Sequence, residues 1–532
     1  MSSAIRKNTG SFYTESKIAE TMVKWAIRSH NDRLLEPSFG DGIFLNKSLE
    51  NFKDLGKNDP QITAIEIQPD VVEDVKKILP IDNLDIIISD YLAQKLALKY
   101  DVVIGNPPYI GIRKLSDKQF AAARNIINEY ELKCPNNGSV WFPFVLHSIN
   151  ALDDDGRIAF VLPFEITYAR YSYGLWEILT ENFAELTICR IFEDFFPNVD
   201  VETVILYASG KGGKSRYINY NVYNSVADYS IGKTIKKDII AAKDIYYNRK
   251  PFISSILSNE HQQMIVDLKK NKILTPIIES CKFKIGYVSA DKEYFHPTAE
   301  IIKEYSLPEK NFCKTILNSK EINGCTGIGL EVNKNDCSSN LCLPIEISNE
   351  DNRYIEYGKS INVHQRYKCK RRSPWYITPL VEQPDVILSV FGDIPKLVIN
   401  KGKYAVTNSL LCGNLNGTSA EQLICRWYNS LTLLSLELNV HSLGGGSFVI
   451  IPGEADKLMI VNEIPEEKTA DVYFRLNEAA KTKGTEAAYS LGDKIVLQDI
   501  FGLTDDDLKK IQTAITQLKK WRKPVSRRSK IY

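Results

Sequence analysis

Asn106-Pro107-Pro108-Tyr109 follows directly on Tyr100–Gly105, a short apolar run closed by a glycine. Two successive prolines have no N–H to donate and a fixed φ, so the chain there can neither continue a ladder nor enter a helix interior. The run before them reads as a buried strand. At its carboxyl end an amide and an aromatic ring are held on a stiff, extended stretch, where open α/β sheets bind ligands. The Asn106 side-chain oxygen and the Pro107 carbonyl can both accept from one NH2 group, and Tyr109 offers a face to a flat ring. That set suits the exocyclic amine of a nucleobase. A plain Pro-Pro turn after a strand would use the same residues, and the tetrapeptide alone does not separate the two readings.

The segments before it repeat the scheme. A helix is predicted from Ser16, with Ile18, Met22, Trp25 and Ala26 on one face. Arg33–Leu45 reads as a short strand, the turn Glu36-Pro37-Ser38-Phe39-Gly40-Asp41-Gly42, and a helix start; its glycines let backbone approach a ligand, although the full G-x-G-x-x-G fingerprint is absent. Gln61–Ile67 is a second strand, with Glu66 placed where α/β folds hold ribose hydroxyls. A helix over 70–79 leads to a third strand, Leu84–Ser89, which ends in Asp90-Tyr91, an acceptor and an aromatic suited to an adenine ring. After the Asn106 strand, residues 110–138 form a loop and helix over the site, and a helix over 139–152 ends at the turn Asp153–Gly156. Three more strands are predicted at Arg157–Pro163, Leu186–Phe192 and Thr203–Tyr207, with Phe195 and Phe196 on the turn between the last two. Seven strands with helical segments between them predict a doubly wound, mostly parallel α/β sheet.

Composition bounds the rest. At 532 residues, 44% hydrophobic and 25% charged, the chain has room for two or more ordinary cores. No apolar run approaches the roughly 18 residues of a membrane span, and no apolar signal region follows Met1–Lys7, so a cytoplasmic protein is expected. Ten cysteines without a C-x-x-C pair, and six histidines not clustered near them, predict free thiols and no metal site. Charge is unevenly spread. Residues 1–210 hold 21 Lys and Arg against 30 Asp and Glu, a balance of −9; residues 211–532 hold 46 against 36, a balance of +10. A basic second half points to a polyanionic partner. Between the halves, Ala208–Ser215 loosely matches a phosphate loop, but a strand rather than a helix is predicted after it, so it reads as a linker. Further on, Arg366–Tyr376 interleaves Arg366, Lys368, Lys370, Arg371 and Arg372 with Tyr367, Trp375 and Tyr376, as a nucleic-acid surface or a solvated charged loop would. Leu443–Phe448 is a glycine-rich loop, and 519–532 reads as a partly disordered basic arm.

In this order the motifs resemble gamma-type N6-adenine DNA methyltransferases of the TaqI and Eco57I kind. Asn106–Tyr109 matches the family's (Asp/Asn)-Pro-Pro-(Tyr/Phe) motif, and Glu36–Gly42 its acidic-Pro-x-x-Gly-x-Gly motif. Gly10–Thr14 matches the segment that comes first in the family, and Phe196-Pro197 its target-stacking phenylalanine; weaker echoes are Lys368–Tyr376 and Gly444-Gly445-Gly446. The resemblance implies a seven-stranded S-adenosylmethionine (SAM) dependent methyltransferase domain over 1–215. A mixed α+β DNA-recognition domain would follow over 216–518, with a basic tail over 519–532. It implies that Thr14, Glu36, Ser38, Gly40, Gly42, Glu66, Asp90 and Tyr91 hold SAM. Asn106 and Pro107 would hold the amine of an adenine flipped out of duplex DNA, with Tyr109 and Phe196 stacked on its ring. Arg366, Lys368, Lys370, Arg371, Arg372 and Trp375 would lie at the duplex.

No metal is required by that chemistry. Other amines remain as alternatives: the glutamine of release factors, guanine N2 in RNA, or cytosine N4. A non-enzymatic DNA-binding protein is opposed by the intact set Glu36, Gly40, Glu66, Asp90 and Asn106. Pro384-Asp385 begins a nuclease-like string with no Asp/Glu-x-Lys within reach. The expectation is therefore a monomeric modification enzyme, either an orphan or paired with a separately encoded restriction endonuclease.

Overall fold

The computed structural model describes residues 14–522, except 82–83, 97, 137, 194–201, 248–249, 325–326, 330–338, 343–346, 380–382, 393 and 443–446. The chain divides into two compact units, the first running to Ile256 and the second covering Leu257–Arg522.

The first unit is built on one sheet. Its strands are β1 (Leu34–Glu36), β2 (Ile62–Glu66), β3 (Asp85–Ile88), β4 (Tyr100–Gly105), β5 (Leu152–Pro163), β6 (Phe183–Ile191), β7 (Thr203–Lys211), β8 (Tyr217–Tyr223) and β9 (Lys236–Ala241). They lie in the order β3-β2-β1-β4-β5-β7-β6-β8-β9. The pairs from β3 through β5 are parallel; β7 runs antiparallel to both β5 and β6, and β9 antiparallel to β8. The sheet thus has nine strands, two more than the seven expected. The domain boundary moves with them: residues 216–256 belong to the first unit, because β8 pairs parallel with β6 (Thr187↔Asn219 to Ile191↔Tyr223). The expected linker is likewise a turn inside this sheet. Ser209, Gly210 and Lys211 finish β7, and Gly213 turns the chain where a Cβ would fall 2.7 Å from the Ala184 Cβ.

Helices cover both faces. Helix α1 (Ser16–Ala26) buries Ile18, Met22 and Ala26 as its spacing predicts, and the Trp25 ring lies 4.3 Å from that of Tyr207. With α2 (Ile43–Asp54) and α3 (Pro69–Lys76) it shares one core with Val102 and Ile104 of β4 and Ala159 and Val161 of β5. Val103, Ile158 and Phe160 alternate with these along the strands and so face the other side, where α4 (Asp117–Glu129) and α5 (Trp141–Ala151) pack on each other and α5 packs on β4 and β5. Strand β5 begins at Leu152, directly after α5, so the turn expected at Asp153–Gly156 lies inside it.

The second unit mixes small sheets with helices, as expected. A four-stranded antiparallel sheet runs in the order Cys281–Ile285, Leu410–Leu415, Val386–Ser389, Leu397–Ile399. The expected basic arm is corrected at its start. Lys519, Lys520 and Arg522 complete the helix Asp505–Arg522, and the Arg522 guanidinium meets the buried Glu437 carboxylate through two 2.9 Å hydrogen bonds. Two paired hydrogen bonds to a carboxylate out of water hold a helix end rather than a free tail. The remainder of the expected arm and Gly444–Gly446 lie outside the described residues.

Candidate functional site

From β1 the chain steps outward to β2 and β3, then crosses back to lay β4 on the other side of β1. Strand order reverses between β1 and β4, which leaves a crevice at their carboxyl ends. A cavity of about 300 Å³ sits there, lined among others by Thr14, Ser38, Gly40, Glu66, Asp90 and Asn106. Its acidic and basic lining residues are Asp41, Glu66, Asp90 and Lys114. Three carboxylates against one ammonium suit a ligand with net positive charge.

Glu66, at the end of β2, is the hub of the turn. One carboxylate oxygen accepts from the Ile67 and Gln68 N–H groups at 2.9 and 3.0 Å, the other from the Gly40 N–H at 3.1 Å. That last bond ties the glycine turn after β1 to the end of β2. Gly40 and Gly42 have φ of 54° and 77°, a region L side chains avoid. Asp90, after β3, accepts from the Leu92 N–H at 3.1 Å, and burial raises its carboxyl above the usual range.

Asn106 sits where the tetrapeptide leaves β4. Its backbone oxygen accepts from Ser38 Oγ at 3.4 Å, and its Nδ2 donates to Thr14 Oγ1 at 3.3 Å. Asn106 and Pro108 line the cavity, whereas Pro107 and Tyr109 do not. An extended backbone sends alternate residues to opposite sides, so the Asn-Pro-Pro-Tyr stretch forms a wall with Tyr109 on its far side. Burial lifts the Tyr109 phenol well above its usual range.

Two of the expected cofactor contacts, Glu36 and Gly42, stand back from the cavity. Glu36 does not line the cavity; it is fully buried behind it, with its carboxyl raised well above the usual range by burial first and then by Asp41 and Glu66. Gly42 also stands back from the cavity, because its Cα packs on α3; a Cβ there would fall 3.0 Å from Val75 Cγ1. Tyr91 does line it, yet its ring is a core residue, 5.0 Å from the Phe144 ring, with its hydroxyl 2.9 Å from Ser148 Oγ. Phe196 lies outside the described residues, as do Gly10 to Tyr13.

Other lining residues escaped the sequence reading: Ile110, Leu115, Gln119, Val140 and Phe144. Val140 and Phe144 stand four apart at the start of the almost wholly apolar α5, where nothing in the pattern separates a cavity-facing side chain from a core one. Ile110 and Leu115 belong to a loop strapped to the chain before α5, with Ile112 N donating to Gly138 O at 2.8 Å and Val140 N to Ile110 O at 2.8 Å.

In the second unit the basic–aromatic stretch divides. Arg366, Lys368, Lys370 and Arg371 are exposed, with the Arg371 guanidinium 4.4 Å from the centre of the Tyr367 ring. Arg372 turns inward. It donates to the Val288 and Ser289 carbonyls, the latter at 3.0 Å, and burial lowers its pKa. Trp375 packs beside Tyr294, their rings 5.5 Å apart, against an aromatic core. These two expected duplex contacts are engaged within their own unit, because an arginine fork that satisfies two carbonyls and an indole packed on rings are held by the fold.

Comparison with known proteins matches this geometry to a family. The model of the Eco57I restriction-modification methylase matches residues 28–195, which hold every lining residue of the cavity but Thr14. The model of the C-terminal domain of Type II methyltransferase M.Eco57I matches 249–497. Together they span most of the chain, with residues 196–248 between them, and the second match begins near the boundary between the two units. The chain belongs to the Eco57I restriction-modification methylase family. It is thus an enzyme of the methyltransferase class. It is 25% identical to Type II methyltransferase M.AccI of Acinetobacter calcoaceticus over 403 residues, covering 73% of this chain and 72% of that protein. It is 26% identical to M.HincII of Haemophilus influenzae over 173 residues, 32% of this chain and 31% of that one. The Type IIL restriction-modification enzyme MmeI, solved with DNA, shares the fold at a TM-score of 0.58 and 14% identity, over 97% of this chain and 74% of that one. Among the described residues of the methylase, no group of three or more His, Cys, Asp or Glu is placed to hold a metal ion, and no helix is long and apolar enough to cross a membrane.

Proposed function

We propose that this methylase transfers a methyl group from SAM to N6 of an adenine flipped out of duplex DNA. The observation that carries the proposal is the wall formed by Asn106: its amide stands at the junction of β4 with a cavity of nucleoside size lined by three carboxylates. SAM fits that cavity in charge, since its sulfonium and ammonium outweigh its one carboxylate, and a bound SAM supplies an electrophilic methyl group. The residues that would hold it are Glu66 at the ribose hydroxyls and Asp90 at the adenine amine. The opened Gly40 turn and Ser38 would lie beside its methionine chain.

The protein's part in the reaction is to position and to stabilise charge. The N6 lone pair is delocalised into the purine ring and is a weak nucleophile. Asn106 Oδ1 and the Pro107 carbonyl, both accepting from the NH2 group, favour a pyramidal nitrogen and stabilise the positive charge that grows on it. Tyr109, on the far side of the wall, is available to stack on the extruded ring, and Phe196 is proposed to cover its other face. The exposed Arg366, Lys368, Lys370 and Arg371 supply a phosphate-binding surface in the second unit. The enzyme would act either within a restriction-modification pair, with a separate nuclease, or alone.

The test is transfer of labelled methyl from SAM to mixed-sequence duplex DNA, tRNA and release-factor protein, followed by identification of the modified group. N6-methyladenine in DNA is expected. Methylcytosine, or label confined to RNA or protein, would overturn the reading.

A further inference from the structure

We infer that Thr14 is a positioning residue for the catalytic amide: its hydroxyl holds the plane of the Asn106 side chain so that Oδ1 faces the target amine. This rests on the reading of Asn106 given above. Thr14 lies just before α1, 92 positions away from Asn106 in sequence, is 6% exposed and lines the same cavity. Asn106 Nδ2 donates to its Oγ1 at 3.3 Å, while Ser38 Oγ fixes the Asn106 backbone oxygen at 3.4 Å.

The torsion that turns an asparagine amide is soft and roughly two-fold, so the plane wanders unless something engages it. An amide that directs its nitrogen at Thr14 directs its oxygen the other way. The target NH2 group is a donor and needs that oxygen; an amide turned over would confront it with a second NH2 group. A hydroxyl both accepts and donates, so Thr14 does not by itself select the face. The incoming amine selects it, and Thr14 takes the N–H that the productive orientation turns away. Without the hydroxyl, that orientation loses the hydrogen bond from Nδ2 that holds the amide plane.

Thr14→Val removes the hydroxyl at almost constant volume, and Thr14→Ser keeps it. Turnover of Thr14→Val should fall about tenfold, the upper end of what one such hydrogen bond contributes. Its SAM affinity, read by calorimetry, should stay within about threefold of wild type. Retained SAM binding also shows that the variant is folded. Thr14→Ser should recover turnover to within about threefold of wild type. Wild-type turnover in Thr14→Val overturns the inference. So does a loss of SAM affinity matching the loss of turnover, which would make Thr14 a cofactor contact. Equal impairment of Val and Ser variants overturns it as well, since shape rather than the hydroxyl would then matter. Asn106→Ala, assayed in parallel, separates the two layers of argument. If it turns over normally, the reading of Asn106 itself falls; if it is inactive while Thr14→Val is normal, only the role of Thr14 falls.

Discussion

Glu36 allows a prediction that depends on the fold alone. Its side chain is fully buried, and neither carboxyl oxygen has a hydrogen-bond partner among the described residues. Asp41 and Glu66 add like charge nearby, so the folded protein keeps Glu36 protonated well above the ordinary value of 4.5 at which the unfolded chain releases the proton. Between those two values the folded state binds one proton more than the unfolded state. Stability must then fall as pH rises, by up to about 1.4 kcal/mol per pH unit from this one group. The contribution is fully present below 4.5 and is lost as pH climbs through the raised folded value. Glu36→Gln keeps the shape and removes the titration. Without cofactor, the variant should lose less stability than wild type between pH 5 and pH 7. Hydrogen exchange at the β1 and β4 amides, corrected for the intrinsic pH dependence of exchange, reads the first unit apart from the second. Equal pH slopes in the two proteins would show that Glu36 is ionised in the fold, and the reasoning would be refuted.

Three further outcomes are expected. Glu66→Ala should weaken SAM binding by tenfold or more, about 1.4 kcal/mol or above, and should lower exchange protection at Gly40, Ile67 and Gln68, whose N–H groups it now receives; calorimetry and amide exchange check the pair. Gly42→Ala should destabilise the first unit by about 1–3 kcal/mol, from its φ of 77° and a Cβ only 3.0 Å from Val75 Cγ1, as read by denaturant unfolding. Replacing Lys370 and Arg371 with alanine should flatten the log–log dependence of DNA affinity on salt by up to about two units, near 0.9 per phosphate contact, and leave SAM binding unchanged; an unchanged slope would make the segment ordinary solvated surface.

The sheet up to β7 was legible because each strand is a short apolar run that stops at a residue with a visible reason to stop: Glu36 before a glycine turn, Glu66, Asp90, or Gly105 before two prolines. Those stops are also the site, which is why Asn106, Glu66, Asp90, Ser38, Gly40 and Thr14 come together as their pattern suggests. The extension of the sheet was not legible. Tyr217–Tyr223 alternates exposed and buried residues as any half-covered strand would, so nothing local says which unit it pairs with. Arg372 and Trp375 failed for a related reason. Composition marks a stretch as basic and aromatic, but whether an arginine meets phosphate or the Val288 and Ser289 carbonyls is decided by chain more than 80 residues away. The cavity wall from α5 is hidden too, because Phe144 facing a ligand and Phe144 facing a core use the same residue type.

The central claim is that the amide of Asn106, at the end of β4, acts on the exocyclic amine of adenine. Its most direct test is nucleoside mass spectrometry of DNA from cells expressing the wild-type protein or Asn106→Ala, in a host with no adenine methylation of its own. The account requires N6-methyladenine with the wild-type protein and its loss with Asn106→Ala, while the purified variant still binds SAM within about tenfold of wild type. N6-methyladenine persisting with Asn106→Ala, or N4-methylcytosine in its place with wild type, would contradict it.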